Sequence, residues 1–289
     1  MLKPTLSTVA CPELTLPSVA DLADTLGFEA VEFRTFGTDS RQFACGPALS
    51  SEDKTRTLFR ARGIEILSLA TSCRFDATIV PPVIGHVISD TERSVREAKS
   101  AIDLAVQLEC PYVRVFGFEI ASRELPKAAI ARIAGRLRKV CDHADKTGTK
   151  VIIENGGSFE TAIQLRGLIE SVGHPLLGAA YSVAVGAAAG EQPAAAVASL
   201  GSLLWLARIR DLRGGHPVRI GEGDVPCREF VSALAAAGFN GPVVCEWDRA
   251  WRAELAPASE ALAGVAASIL EWAAATPKPS TARSVMRSR

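Results

Sequence analysis

The chain has 289 residues, with 32 Lys and Arg against 32 Asp and Glu, 48% hydrophobic and 22% charged. That balance excludes an intrinsically disordered chain. Lys278, Arg283, Arg287 and Arg289 sit acid-free near the C-terminus, so residues 1–275 carry 28 bases against 32 acids, which excludes a basic nucleic-acid-binding body.

In chain order, short β-branched and aliphatic runs alternate with longer segments of helical period. Strands are expected at 6–10, 30–34, 65–70, 112–116, 150–154, 177–181, 204–210 and 242–247. Helices are expected near 17–26, 51–62, 90–109, 126–147, 159–172, 192–202, 227–237 and 257–274, the third opening on the capping signal Ser89-Asp90-Thr91-Glu92. Gly27, Gly63, Gly148, Gly173 and Gly238 stand where a left-handed residue would end a helix and turn the chain toward the sheet. Two junctions repeat one another: Gly27-Phe28 leads into a strand reaching Glu32, and Gly238-Phe239 into one reaching Glu246.

Strands spaced by helices pair in parallel through right-handed crossovers. At roughly 150 residues per domain the length suggests two domains, but a barrel of about 250 residues fits as well. Eight strand–helix units favour an α/β fold of the closed (β/α)8 TIM-barrel type, one domain over 1–275, with 276–289 a flexible basic tail. The seven cysteines (11, 45, 73, 110, 141, 227 and 245) form no CxxC pair and read as small buried residues in a reducing compartment. No signal peptide is evident, and the uncharged stretch 171–190 is too rich in Gly, Ser, His and Pro for a membrane span. A cytoplasmic protein with no membrane or nucleic-acid partner is expected.

A barrel of this kind works at the C-terminal ends of its strands. The fifth strand ends in Glu154 and the eighth in Glu246; the seventh carries Arg208 and Arg210 and leads to His216; the fourth gives Arg114 and the third Ser72 and Arg74. A carboxylate after buried aliphatic residues costs desolvation unless it is paired or used. One such Glu reads equally as half of a salt bridge, whereas two across one mouth point to chemistry. The loop Gly221-Glu222-Gly223-Asp224 lacks phosphate-loop spacing and carries two acids. His143, His174 and His86 read as helix-surface and loop positions.

Several segments resemble the xylose isomerase-like sugar phosphate isomerase/epimerase superfamily: residues 17–32, Tyr112-Val113-Arg114-Val115-Phe116-Gly117, Val151-Ile152-Ile153-Glu154-Asn155, Ile220-Gly221-Glu222-Gly223-Asp224-Val225-Pro226, and Glu246-Trp247. The resemblance runs from about Leu6 to Ala275 and implies a TIM barrel whose divalent metal is held by Glu, Asp, His and Glu after strands five to eight. Glu154 and Glu246 match the two Glu positions, but Ser182 stands at the Asp position and Arg208 at the His position. A guanidinium cannot ligate an ion. No cofactor is therefore firmly implied, although a divalent metal is typical of the family. Two carboxylates and one Arg carry the same net charge as three carboxylates and a divalent ion, so Arg208 is expected to take the ion's electrostatic place, between the two Glu or on substrate oxygens.

What the resemblance implies is proton transfer beside a carbonyl through an enediol, with Glu154 and Glu246 moving the proton; from their positions, Arg208 is expected to be catalytic with them, and Arg114, Arg210, His216, Trp247 and Ser182 to bind a small sugar-like substrate. Elimination from a keto-sugar shares the first step, and a catalytically silent barrel that binds a sugar-like ligand or a partner is the reading from another class. An endonuclease of this superfamily needs a His-rich trinuclear metal site, and four His in an acidic body do not supply one. The resemblance also points to pairing as a homodimer.

Overall fold

The computed structural model describes residues 1–36, 42–43, 51–78 and 92–275. Its strands are β1 Lys3–Ser7, β2 Ala30–Phe36, β3 Gln42–Phe43, β4 Glu65–Arg74, β5 Tyr112–Phe116, β6 Lys150–Glu154, β7 Leu177–Ser182, β8 Leu204–Ile209, β9 Asp211–Arg213, β10 His216–Val218 and β11 Pro242–Cys245. Eight of them pair in parallel in the order β1-β11-β8-β7-β6-β5-β4-β2, and β1 also pairs with β2, which closes the sheet on itself. The expected (β/α)8 barrel is therefore present. The short β3 adds antiparallel to β2, and β9 and β10 form a separate hairpin.

The helices are α1 Leu16–Thr25, α2 Glu52–Arg60, α3 Arg93–Gln107, α4 Pro126–Ala144, α5 Ala162–Val172, α6 Val183–Ala188, α7 Pro193–Leu200, α8 Cys227–Ala236, α9 Ala258–Ala261 and α10 Val265–Ala274. Their starts follow local chemistry. The Thr15 hydroxyl accepts from Ser18 N at the head of α1, and Thr161 with Gln164 closes a reciprocal capping box on α5. Gly173 ends α5 at φ 63°, its N–H bonded to Ile169 O. None of these helices is long and apolar enough to cross a membrane.

Four boundaries differ from expectation. The first strand lies three residues earlier, at Lys3–Ser7, and Thr8–Ala10 turns instead as a 3-10 helix. α3 starts at Arg93 with no side-chain cap from Glu92, while Ser89, Asp90 and Thr91, like His86, Cys45 and residues 276–289, lie outside the described residues. The last helix is broken in two at Gly264, which sits at φ 76°. α6 was not expected at all, because six residues of Val, Ala and Gly carry no amphipathic period.

One apolar core fills the space between sheet and helices. A second, inside the barrel, consists of Ala30, Leu67, Ile152, Ala180, Leu206 and Val244, with Tyr112 and Trp205 packed beneath it. Gly178 leaves the room for Trp205, whose ring passes within 2.1 Å of where a Cβ would stand. A cavity of about 630 Å³, lined by Lys3, Glu65, Tyr112, Lys150 and Trp205, opens at this N-terminal end, away from the charged residues at the opposite mouth.

The inner layer fixes what lies above it. Side chains two residues apart on a strand share a face. Moving two residues from Ala30, Tyr112, Ile152, Ala180, Leu206 and Val244 reaches Glu32, Arg114, Glu154, Ser182, Arg208 and Glu246. An apolar floor and a charged layer above it are thus written into the same six strands.

Candidate active site

Arg208 is the centre of the charged layer. It is 1% exposed, and the side chains that reach it come from three other strands. Nη1 and Nη2 donate to the two Glu32 carboxylate oxygens at 2.7 and 2.9 Å, a bidentate pair across the barrel. Nη2 also bonds Glu246 Oε1. Nε lies 3.1 Å from Glu154 Oε2 without hydrogen-bond geometry, so this contact is an ion pair without a hydrogen bond. Arg114 Nη1 approaches the same oxygen at 3.1 Å while its guanidinium stacks 4.4 Å over Phe116.

The three carboxylates differ in depth. Glu32 is wholly buried, whereas the Glu154 and Glu246 side chains keep 11% and 14% of their surface exposed. Glu32 also accepts from Ser7 Oγ at 3.2 Å and Ser68 Oγ at 2.8 Å, the residues in register with it on β1 and β4. Three Glu and two Arg give the layer a formal charge of −1, the value expected from Glu154, Glu246 and Arg208 alone, because Glu32 and Arg114 cancel.

Burial and charge push these groups in different directions. Burial raises the Glu32 carboxyl, but the charge and hydrogen bonds of Arg208 outweigh it and hold the group at about 2. Burial raises Glu154, and neither Arg208 nor Arg114 overcomes it, with Glu246 adding repulsion. Glu246 is raised by burial as well, yet Arg208 and Arg210 together bring it below the ordinary value. Burial opposes the Arg208 charge, and its three carboxylates more than restore it. Two carboxyls on one guanidinium are thus shifted in opposite directions, the kind of arrangement that can divide acid from base.

Glu32 is depressed from 4.5 to about 2, so its contribution is complete above pH 4.5 and is lost as the pH falls toward 2. Glu154, raised instead, opposes this: its contribution declines as the pH climbs above 4.5. Urea unfolding between pH 2 and 5 should show a steep fall in stability on acidification, flattened in Glu32→Gln. An unchanged slope in that variant would contradict the placement of Glu32.

Of the other expected site residues, Arg210 has its Nη1 3.6 Å from Asp248, its Nε without a hydrogen bond, and its side chain 34% exposed. Ser182 is buried beside Arg208 in register, its N–H bonded to Asn155 Oδ1 and its C=O to Asn155 Nδ2. His216 sits exposed on the β9–β10 hairpin, 3.5 Å from Arg252, and is not joined to the charged layer. Trp247 is 6% exposed with its indole N–H bonded to Ala256 O at 2.8 Å, so it packs behind the strand and does not wall the mouth. Trp251, 57% exposed and 5.8 Å from the Arg34 guanidinium, is the open aromatic. Asp211 accepts the N–H groups of Leu212, Gly221, Gly223 and Val225, which explains the glycines of that loop as a fold around a buried carboxylate.

Glu32 was not among the expected site residues. Its signal was its place in the junction that repeats around Glu246, but its partner Arg208 lies 176 residues away, and no local spacing reveals that.

The family's divalent ion does not fit this mouth. The guanidinium fills the space between Glu32, Glu154 and Glu246, and among the described residues no three His, Cys, Asp or Glu gather to hold an ion.

A closed parallel barrel with converging charges at the C-terminal mouth is the layout of the TIM-barrel class. The family described as xylose isomerase-like TIM barrel matches residues 20–270, and the chain belongs to it. Among solved structures it is similar to an L-ribulose 3-epimerase, at 16% identity over 94% of this chain and 96% of that one, TM-score 0.76. It is also similar to a D-allulose 3-epimerase of Methylomonas sp., at 17% identity over 94% and 98%, TM-score 0.74. A protein described as the probable 3-DHS dehydratase of Bacillus anthracis aligns at 15% identity over 93% and 97%, TM-score 0.73. A comparison with curated proteins gave no match. At such identities the likeness establishes the fold, and these neighbours are named as enzymes.

Proposed function

We propose that the chain is an isomerase or epimerase of a small sugar-like carbonyl compound, working by proton transfer between Glu246 and Glu154. The observation that carries this reading is the convergence of those two carboxyls, from strands three positions apart around the barrel, on the one guanidinium of Arg208. Glu246, the more acidic, is the base. It takes the proton from the carbon beside the carbonyl, and the C–H electron pair becomes the double bond of an enediolate. Glu154, protonated, returns a proton to that carbon from the other face, or to the adjoining carbon in an isomerisation. Exchange with water then restores both carboxyls.

Arg208 is too enclosed to touch substrate, which changes the role expected for it: it tunes the two carboxyls and leaves the enediolate oxygen to another group. Arg210, whose charge acts on Glu246 and whose side chain is 34% exposed, is the guanidinium that would serve that oxygen. The same enclosure favours one second reading, a barrel that binds a sugar-like ligand without turning it over. Loss of hydroxide after the same first step would give dehydration, the reaction in the name of the B. anthracis relative.

Incubation with a panel of ketoses in D2O, followed by NMR, tests the reading. Deuterium should enter the carbon beside the carbonyl and a new epimer or isomer should appear. Ligand binding without exchange would establish the second reading, and conversion that survives both Glu154→Gln and Glu246→Gln would overturn the assignment.

A further inference from the structure

We propose that Glu32 is a positioning residue, which pins the Arg208 guanidinium by one edge and so aims its remaining donors at Glu246 and Glu154. The inference deepens the proposed function and rests on it. A guanidinium is a planar fork, and a carboxylate that takes two of its N–H groups fixes both its position and the orientation of its plane. Glu32 is the partner that does this, at 2.7 and 2.9 Å, and it is wholly buried, so no substrate can reach it. It is itself held: Ser7 and Ser68 donate to its two oxygens from the neighbouring strands, one to each.

The chain Ser7 and Ser68, Glu32, Arg208, then Glu246 and Glu154 thus runs from the buried side of the layer to the open mouth. With one edge occupied by Glu32, Nη2 still faces Glu246, where it makes a hydrogen bond, and Nε lies beside Glu154, where it makes none. The asymmetry between the two working carboxyls therefore has a geometric origin in the side chain behind the arginine. Without Glu32 the guanidinium is free to rotate and share itself between Glu246 and Glu154, and the division of labour between acid and base is lost. A catalytic geometry held by a supporting side chain is sensitive to displacements of about 1 Å.

Arginine side-chain 15N NMR of the full chain reads the first half directly, with Arg208→Lys used to assign the Arg208 signals. In the wild-type chain the Arg208 Nη protons should be resolved and in slow exchange. In Glu32→Gln they should coalesce, while Glu154→Gln leaves them resolved. Should Glu32→Gln fail to fold, the Ser7→Ala/Ser68→Ala double variant, which loosens Glu32 and keeps its charge, should speed the same rotation. Arg208 signals that stay slow in whichever of these variants folds would overturn the proposal.

The second half is read from turnover of whichever ketose shows exchange. Glu32→Gln should lower kcat by about tenfold or more with KM little changed, and Glu32→Asp should recover part of the loss. A loosened Arg208 with unchanged kcat would equally overturn the positioning role. If no ketose exchanges at all, the proposed function fails, while the NMR still decides whether Glu32 pins Arg208.

Discussion

Glu246→Gln should lower both solvent exchange and product formation by about 10²–10⁴-fold, the usual contribution of a positioned general base. Glu154→Gln should behave differently. Glutamine resembles a protonated carboxyl in shape but cannot deliver a proton, so Glu246 still removes the substrate proton and returns it to the same face. Deuterium should therefore enter the starting sugar in Glu154→Gln while the epimer or isomer fails to form. The distinction comes from the environments of the two groups: Arg208 and Arg210 lower the proton affinity of Glu246, whereas burial raises that of Glu154. NMR of substrate and product in D2O separates the two outcomes. The reverse pattern, exchange retained in Glu246→Gln and lost in Glu154→Gln, would exchange the roles of the two residues.

Arg208→Met should destabilise the fold by about 3–5 kcal/mol, because removing one member of a buried ion cluster strands the others. Glu32 would keep only two serine hydroxyls, Glu154 would keep Arg114, and Glu246 would keep only the nearby charge of Arg210. Adding Glu32→Gln to that variant should recover part of the loss, since an uncharged amide no longer has to be buried as an ion. Urea unfolding of the four chains of this double-mutant cycle gives the coupling directly. Strictly additive losses would show that the two side chains do not share the bidentate contact seen here.

Much of this layer was legible in the sequence because strand alternation is a strict rule. Glu154, Arg208 and Arg114 stand two residues beyond an inward-facing side chain, and their convergence required only that the barrel close. The same rule accounts for Trp247: next to inward Glu246, it faces the helices, where its indole finds Ala256 O. The sequence reading sets Arg208 between Glu154 and Glu246, but its enclosure depends on a third carboxylate contributed from β2, three positions from β8 around the barrel. The pairing of Glu32 with Arg208 is a tertiary fact set by barrel closure, and neither residue's neighbours in the chain disclose it. The break at Gly264 and the short α6 were missed for a more local reason: Ala-rich segments around residues 183–188 and 258–274 give little periodic contrast.

Diffraction from crystals grown with manganese tests whether the Arg208 guanidinium takes the place of a divalent ion in this mouth. The expected result is no anomalous density between the fifth- and eighth-strand carboxyls, and continuous density for Arg208 reaching Glu32, Glu154 and Glu246. A manganese ion coordinated by Glu154 and Glu246, with Arg208 swung aside, would contradict it.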